Sequence, residues 1–170
     1  MMYLAALCVF LTAACGYDYR DKRIPNHLLI WMAILGVGWR FRNQGVPGAL
    51  SYLGQAALIV AFLYPFFKIG CLGAGDVKLY GATAGYLPVG KILAFLMCSL
   101  LIAAVISLVK MCRREDFCER MRYLAGYLAA VAKSGSWQLY MEEREERERI
   151  GICLSGPALA SVLLYLGGVY

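Results

Sequence analysis

Gly70-Cys71-Leu72-Gly73-Ala74-Gly75-Asp76-Val77-Lys78 sets a carboxylate at the mouth of a hydrophobic segment, with glycine one and three residues before it. An acid at membrane depth has to face protein or water rather than lipid, and by default it marks a functional site. The two glycines strip side chains from the backbone beside it, so that another chain can lie close to the acid. Helix capping produces the same local pattern, since aspartate is a favoured N-cap and complements the helix dipole. One carboxylate does not make a hydrolytic catalyst, so a second is needed on the same side. Asp18 is the candidate.

The surrounding chain has the composition of a membrane protein. Of 170 residues, 61% are hydrophobic and 16% charged, outside the range of ordinary soluble domains. A net charge of +6 would point to nucleic acid in a soluble chain. Here topology accounts for it, and no nucleic-acid partner is expected. The seven cysteines form no CxxC pair, and the lone His27 has no partner at metal spacing, so neither a metal site nor any cofactor is expected. Cys8, Cys15, Cys98 and Cys153 lie in apolar runs, where cysteine acts as a small hydrophobe.

Apolar segments fall at Met1–Tyr17, His27–Phe41, Ala49–Phe67, Leu72–Leu87, Lys91–Val109 and Ile150–Tyr170. About 20 helical residues cross a bilayer, with about 17 near the lower limit. The fold class expected is therefore an all-α integral membrane protein, a bundle of about six transmembrane helices in one membrane domain. Residues 1–109 carry the first five, 150–170 the last, and 110–149 form a polar insert between them. The first segment has no basic residue before it, unlike a signal peptide, and is expected to be a retained helix. Pro25-Asn26, Gly45 to Gly48 and Leu87-Pro88-Val89-Gly90 punctuate the loops. Pro25 suits the first turn of the second helix. Gly81-Ala82-Thr83-Ala84-Gly85 is a small-residue face suited to close helix packing.

Charge orients this bundle. With the loops numbered in order, the odd ones carry Arg20, Lys22, Arg23, Lys68, Lys78 and the nine basic residues of 110–149. The even ones carry Arg40, Arg42 and Lys91. Basic residues concentrate on the cytoplasmic side, so the odd loops face the cytoplasm of an inner-membrane protein. All eleven acids fall on that side too. Asp18 and Asp76, 58 residues apart in sequence, thus end at one membrane surface. In the insert, Phe117, Met121, Leu124, Leu128 and Val131 recur at helical steps beside Arg113, Arg114, Arg120, Arg122 and Lys133, the pattern of an interfacial helix on anionic lipid. Residues 142–149 alternate both signs and read as a solvated helix end.

Two carboxylates converging on one water can hydrolyse a peptide bond. Held a few ångströms apart they share a proton; the ionised acid activates the water and the protonated one polarises the scissile carbonyl. Glycines 73 and 75 would let an extended substrate lie against the loop.

At this point the residues resemble a family. Asp18-Tyr19-Arg20-Asp21-Lys22-Arg23-Ile24-Pro25-Asn26 is similar to the first motif of the type IV prepilin peptidases, an aspartate followed by a basic stretch ending in Ile/Leu-Pro-Asn/Asp. Gly73-Ala74-Gly75-Asp76-Val77-Lys78 resembles their second, Gly-x-Gly-Asp-x-Lys. The resemblance covers residues 1–110 in order and spacing. It implies an intramembrane aspartic endopeptidase whose catalytic residues fall on Asp18 and Asp76, with Gly73, Gly75, Lys78, Pro25 and Asn26 supporting the loops. The implied partner is a type IV pilin-like precursor, cut on the cytoplasmic side just before its hydrophobic segment. Asp21 lies four residues before Pro25, where the family's acid lies seven before it, so Asp21 is expected in the loop, holding Lys22 or Lys78.

The chain lacks the four-cysteine region of the larger bifunctional members. It therefore resembles the short, peptidase-only branch of tight-adherence pili and archaella, and methyltransferase activity is not expected. Presenilin-like proteases share the Tyr-Asp and Gly-x-Gly-Asp elements and a Pro-Ala-Leu matched by Pro157-Ala158-Leu159, but lack the Ile-Pro-Asn element. Pro157 is expected to kink the last helix near the substrate path. The rival functions are a non-catalytic pilus-assembly scaffold and a small ion- or proton-coupled transporter. The transporter would place acids near mid-bilayer and show an internal repeat, and this chain has neither.

Overall fold

A computed structural model of the chain describes residues 2–112, 126 and 153–169. Nearly all of the 110–149 insert therefore lies outside the described residues. Five elements run α1 (Met2–Asp21), α2 (Asn26–Lys68), α3 (Ala74–Tyr86), α4 (Val89–Cys112) and α5 (Ser155–Leu166), with no strand among the described residues.

α1 buries one stripe, Leu4, Leu7, Leu11 and Ala14, at alternating three- and four-residue steps. The next position of that stripe is Asp18, equally buried at 7% exposure. Helical periodicity thus carries a carboxylate into a core position. α1 also runs four residues past the predicted Tyr17. Asp21 is its last residue and exposed, rather than a loop residue.

α2 merges the predicted second and third segments, and its backbone shows why. Gly45 alone departs from helical geometry, at φ 67°, ψ −153°, a conformation open essentially to glycine. The chain folds back there. A Cβ on Gly48 would stand 2.6 Å from the Arg40 carbonyl oxygen, and one on Gly36 would stand 2.4 Å from the Tyr52 ring. In a straight helix residues 36 and 52 would be about 24 Å apart, so the two halves of α2 lie side by side, antiparallel. The predicted loop of Gly45 to Gly48 shrinks to one residue. Pro47 falls in the first turn of the second half, where its missing N–H leaves no bond unmade. Pro25, expected inside the second helix, is instead the residue just before it.

α3 has 13 residues, every one from Leu79 to Tyr86 buried. It packs chiefly on α2, while α5 bridges α1 and α4. The small face at 81–85 makes the first contact possible: a Cβ on Gly81 would meet Val60 at 2.8 Å, and one on Gly85 the Tyr52 ring at 2.4 Å. Tyr52 lies in that slot and donates its hydroxyl to Ala82 O at 2.9 Å, edge-on to Tyr86. The Tyr86 hydroxyl donates to Met32 O at 2.6 Å. A short helix inside a bundle also has to satisfy its last carbonyls. Arg40 Nη2 donates to Leu87 O at 2.9 Å, and the Gln55 amide, its oxygen accepting from Ser51, donates to Ala84 O and Leu87 O.

α4 buries Ile92, Phe95, Leu96, Ser99 and Ala103 and turns Leu93, Met97, Leu101, Val105 and Leu108 outward. α2 likewise exposes Leu50, Leu53, Leu58, Phe62 and Phe66. Contiguous outward apolar surface on this scale is what lipid covers. α2 and α4 are each long and apolar enough to cross a bilayer, and only 28% of each apolar window is buried, too little for the core helix of a soluble protein. α5, with 12 residues, is shorter than the predicted last segment and stops before Gly167 and Gly168, the latter at φ 75°. Pro157 is its third residue, where no helical hydrogen bond needs its N–H, so it does not kink the helix.

Candidate active site

Three helix ends meet at one end of the bundle: the last turn of α1, the first turn of α3 and the first turn of α5. Asp18 and Asp76 both line a cavity of about 350 Å³ formed by the end of α1, the α1–α2 turn and the start of α3. The α1–α2 turn contributes Lys22, Arg23, Ile24 and Asn26, and the start of α3 contributes Gly73, Gly75 and Lys78. Both sequence motifs thus face one polar space. Lys22 closes α1 in the left-handed region (φ 49°), its N–H bonded to Asp18 O at 3.1 Å. Asp21 is not among the lining residues.

Asp76 is not the N-cap of α3. Gly73 holds that place with ordinary extended angles (φ −76°, ψ 149°), and Asp76 stands three residues on. Its carboxylate turns back to the Gly73 N–H, the N3 half of a capping box. A Cβ on Gly73 would lie 2.9 Å from Asp76 Oδ2. The glycine therefore leaves room for the carboxylate of its own helix. A Cβ on Gly75 would meet Ile24 Cβ of the α1–α2 turn at 3.4 Å, an ordinary contact. Lys78 Nζ donates to Asn26 Oδ1 at 3.1 Å, tying the two motifs together.

Asp76 lies at the polar mouth, outside the two long apolar spans. Burial first, and the Asp18 carboxylate second, push it up to about 7, against the Gly73 N–H, which favours the charged form. Ser155, fully buried, donates Oγ–H to Asp18 Oδ2 at 2.6 Å, and Cys153 Sγ lies 3.4 Å from Asp18 O. Burial raises the Cys153 thiol, and the Asp18 and Asp76 charges raise it further. Sequence reasoning passed over Ser155, and took Ile24 only as a letter of the first motif rather than as a wall of the cavity. A serine directly before Gly156-Pro157 at a helix start on the predicted acid side was the available signal for Ser155. Among the described residues no three His, Cys, Asp or Glu side chains converge on a metal position.

Burial and the neighbouring Asp18 carboxylate thus favour the protonated form of Asp76. A search of curated proteins and of solved structures finds no match to this chain. A model of the type IV leader peptidase family matches residues 5–108, more than half of the chain and a span that includes both acids and both halves of α2. The chain is a membrane protein, and it belongs to the type IV leader peptidase family.

Proposed function

We propose that this peptidase is an intramembrane aspartic endopeptidase that removes the basic leader of type IV pilin-like precursors. The observation that carries the reading is the convergence of Asp18 and Asp76 on one polar cavity beside apolar spans. A water between them gives up a proton to one carboxylate as its oxygen attacks the scissile carbonyl. The other, protonated, acid hydrogen-bonds the carbonyl oxygen and stabilises the tetrahedral intermediate. Collapse breaks the C–N bond, the leaving amine takes a proton, and the dyad again holds one proton. Neither metal nor cofactor enters this scheme.

All six helical segments, the two halves of α2 included, cross or line the membrane in this reading, and 110–149 is a cytoplasmic insert. Lys22, Arg23 and Lys78 gather at the cavity end and Arg40 at the other, which supports a cavity facing the cytoplasm of the inner membrane. A leader ending in a hydrophobic segment would reach the acids there without leaving the bilayer. Cleavage of a pilin-like precursor in membranes, with each acid changed to asparagine, tests this. Asp18→Asn and Asp76→Asn are expected to abolish cleavage while the protein still accumulates in the membrane, and Asp21→Asn to retain it. Cleavage by either dyad variant refutes the assignment.

A further inference from the structure

We propose that Ser155 is a positioning residue for Asp18, holding that carboxylate ionised so that Asp18 activates the water and Asp76 carries the shared proton. The proposal rests on the aspartic reading above. It assigns the two roles which that reading leaves open.

The geometry points one way. The Ser155 hydroxyl is fully buried and sits 2.6 Å from Asp18 Oδ2. That is the range of a charge-assisted O–H···O⁻ bond. The serine hydroxyl is the donor and the carboxylate oxygen accepts, the arrangement an ionised carboxylate requires. A buried donor to the charged form of an acid favours that form, and it also fixes which oxygen is left for water. Helix termini act on both acids: Asp18 lies in the last turn of α1, where the dipole disfavours its charge, and against the start of α5, where it favours it, while Asp76 stands in the first turn of α3. Against the end of α1, Asp18 has the buried Ser155 hydroxyl. Asp76 has one backbone N–H in its place, which does not offset its burial and the neighbouring charge.

Among the described residues, the titratable groups around Asp18 include Lys22 and Arg23 at the turn, Asp76 and Lys78 from α3, and Cys153 before α5, which Cys15 of α1 approaches in turn. All remain when Ser155 alone is changed. A pH profile of Ser155→Ala therefore isolates the hydroxyl.

The test uses the full-length protein in lipid and a synthetic precursor peptide with a basic leader and hydrophobic segment. kcat and KM are followed from acid to alkaline pH. For Ser155→Ala the acid limb of kcat/KM is expected to move up by about one to two pH units, the worth of a buried hydrogen bond to a charged group, with KM unchanged. Ser155→Thr keeps the hydroxyl and is expected to restore the limb. An unmoved limb in Ser155→Ala, at full activity or at uniformly reduced activity, overturns the proposal, because packing alone would give that result. If Ser155→Ala fails to accumulate, Ser155→Cys replaces it. A limb between those of wild type and a full shift then supports the role of the donor, and an unshifted limb overturns it. Asp18→Asn in the same assay keeps the two questions apart. Activity there sinks the aspartic reading itself, whereas an inactive Asp18→Asn beside an unshifted Ser155→Ala sinks only the role of Ser155.

Discussion

Gly73→Ala separates catalytic geometry from stability at a single methyl group. The backbone at Gly73 is extended (φ −76°, ψ 149°), so alanine meets no conformational strain there. The added Cβ would stand 2.9 Å from Asp76 Oδ2 and 3.8 Å from its Cγ. Ordinary contact needs roughly 0.5 Å more, and the carboxylate is free to rotate into the cavity to gain it. Folding stability should hardly change, since one exposed hydrogen bond to the Gly73 N–H is exchanged for water. Catalysis should change far more, because functional groups have to be held within about 0.5 Å of the productive geometry. Each tenfold loss corresponds to about 1.4 kcal/mol of transition-state stabilisation. A loss of roughly 10- to 100-fold in kcat, or about 1.4–2.7 kcal/mol, is expected on this reasoning. The assay pairs leader cleavage in lipid with thermal unfolding of the same preparation. Wild-type kcat in Gly73→Ala would refute the idea that this glycine exists to seat the Asp76 carboxylate. Equal losses of activity and melting temperature would move its role to the fold.

Gly85→Ala should act in the opposite way. Its Cβ would fall 2.4 Å from the Tyr52 ring, and the ring cannot retreat without breaking its bond to Ala82 O, so about 2–4 kcal/mol of stability should be lost, checked by thermal unfolding. Asp76→Asn should melt at a higher temperature than wild type at alkaline pH, with the difference fading toward pH 4. Asp76 is raised in the fold from 3.8 to about 7, so it remains protonated at no cost below the unfolded value, and burying its charge destabilises the fold increasingly as pH rises through that window. A variant less stable than wild type at alkaline pH would contradict the raised value.

The helical segments and the convergence of the acids were legible because both rest on short-range patterns. Hydropathy marks the rods, and the step from Leu4 through Leu7, Leu11 and Ala14 to Asp18 marks the buried face of α1. Boundaries were less so. The break predicted at Gly45 to Gly48 stands, at Gly45 alone, and was drawn too long because a proline and two glycines signal a break without saying that one residue suffices. What borders Gly73 and Gly75 was hidden for a related reason. Sequence shows that space is left open beside an acid, but not whether a substrate, the acid itself or Ile24 fills it. Arg40, Gln55 and Ser155 were invisible as partners because their acceptors lie far along the chain, 47 residues away for Arg40 and 137 for Ser155.

Those long-range bonds also explain how a helix of 13 residues can present Asp76 at a defined depth. α3 spans about 20 Å, less than the roughly 30 Å of a bilayer core. Lipid contact alone would therefore leave it free to slide along the bundle. The first half of α2 holds it at both ends instead. Asn26 takes the Lys78 ammonium near the start of α3, and Arg40 caps the Leu87 carbonyl at its finish, with Met32 O accepting the Tyr86 hydroxyl between them. Asn26 and Arg40 are 14 residues apart, about 21 Å along one helix, and the Lys78 and Leu87 they hold are nine apart, about 14 Å, a difference that the long Lys78 and Arg40 side chains span. The template for α3 thus begins within the first motif, at Asn26, and continues into α2. The axial position of one acid is set by the chain segment that immediately follows the other. A bundle built this way keeps its two carboxylates in register even where its outer helices have only lipid to pack against.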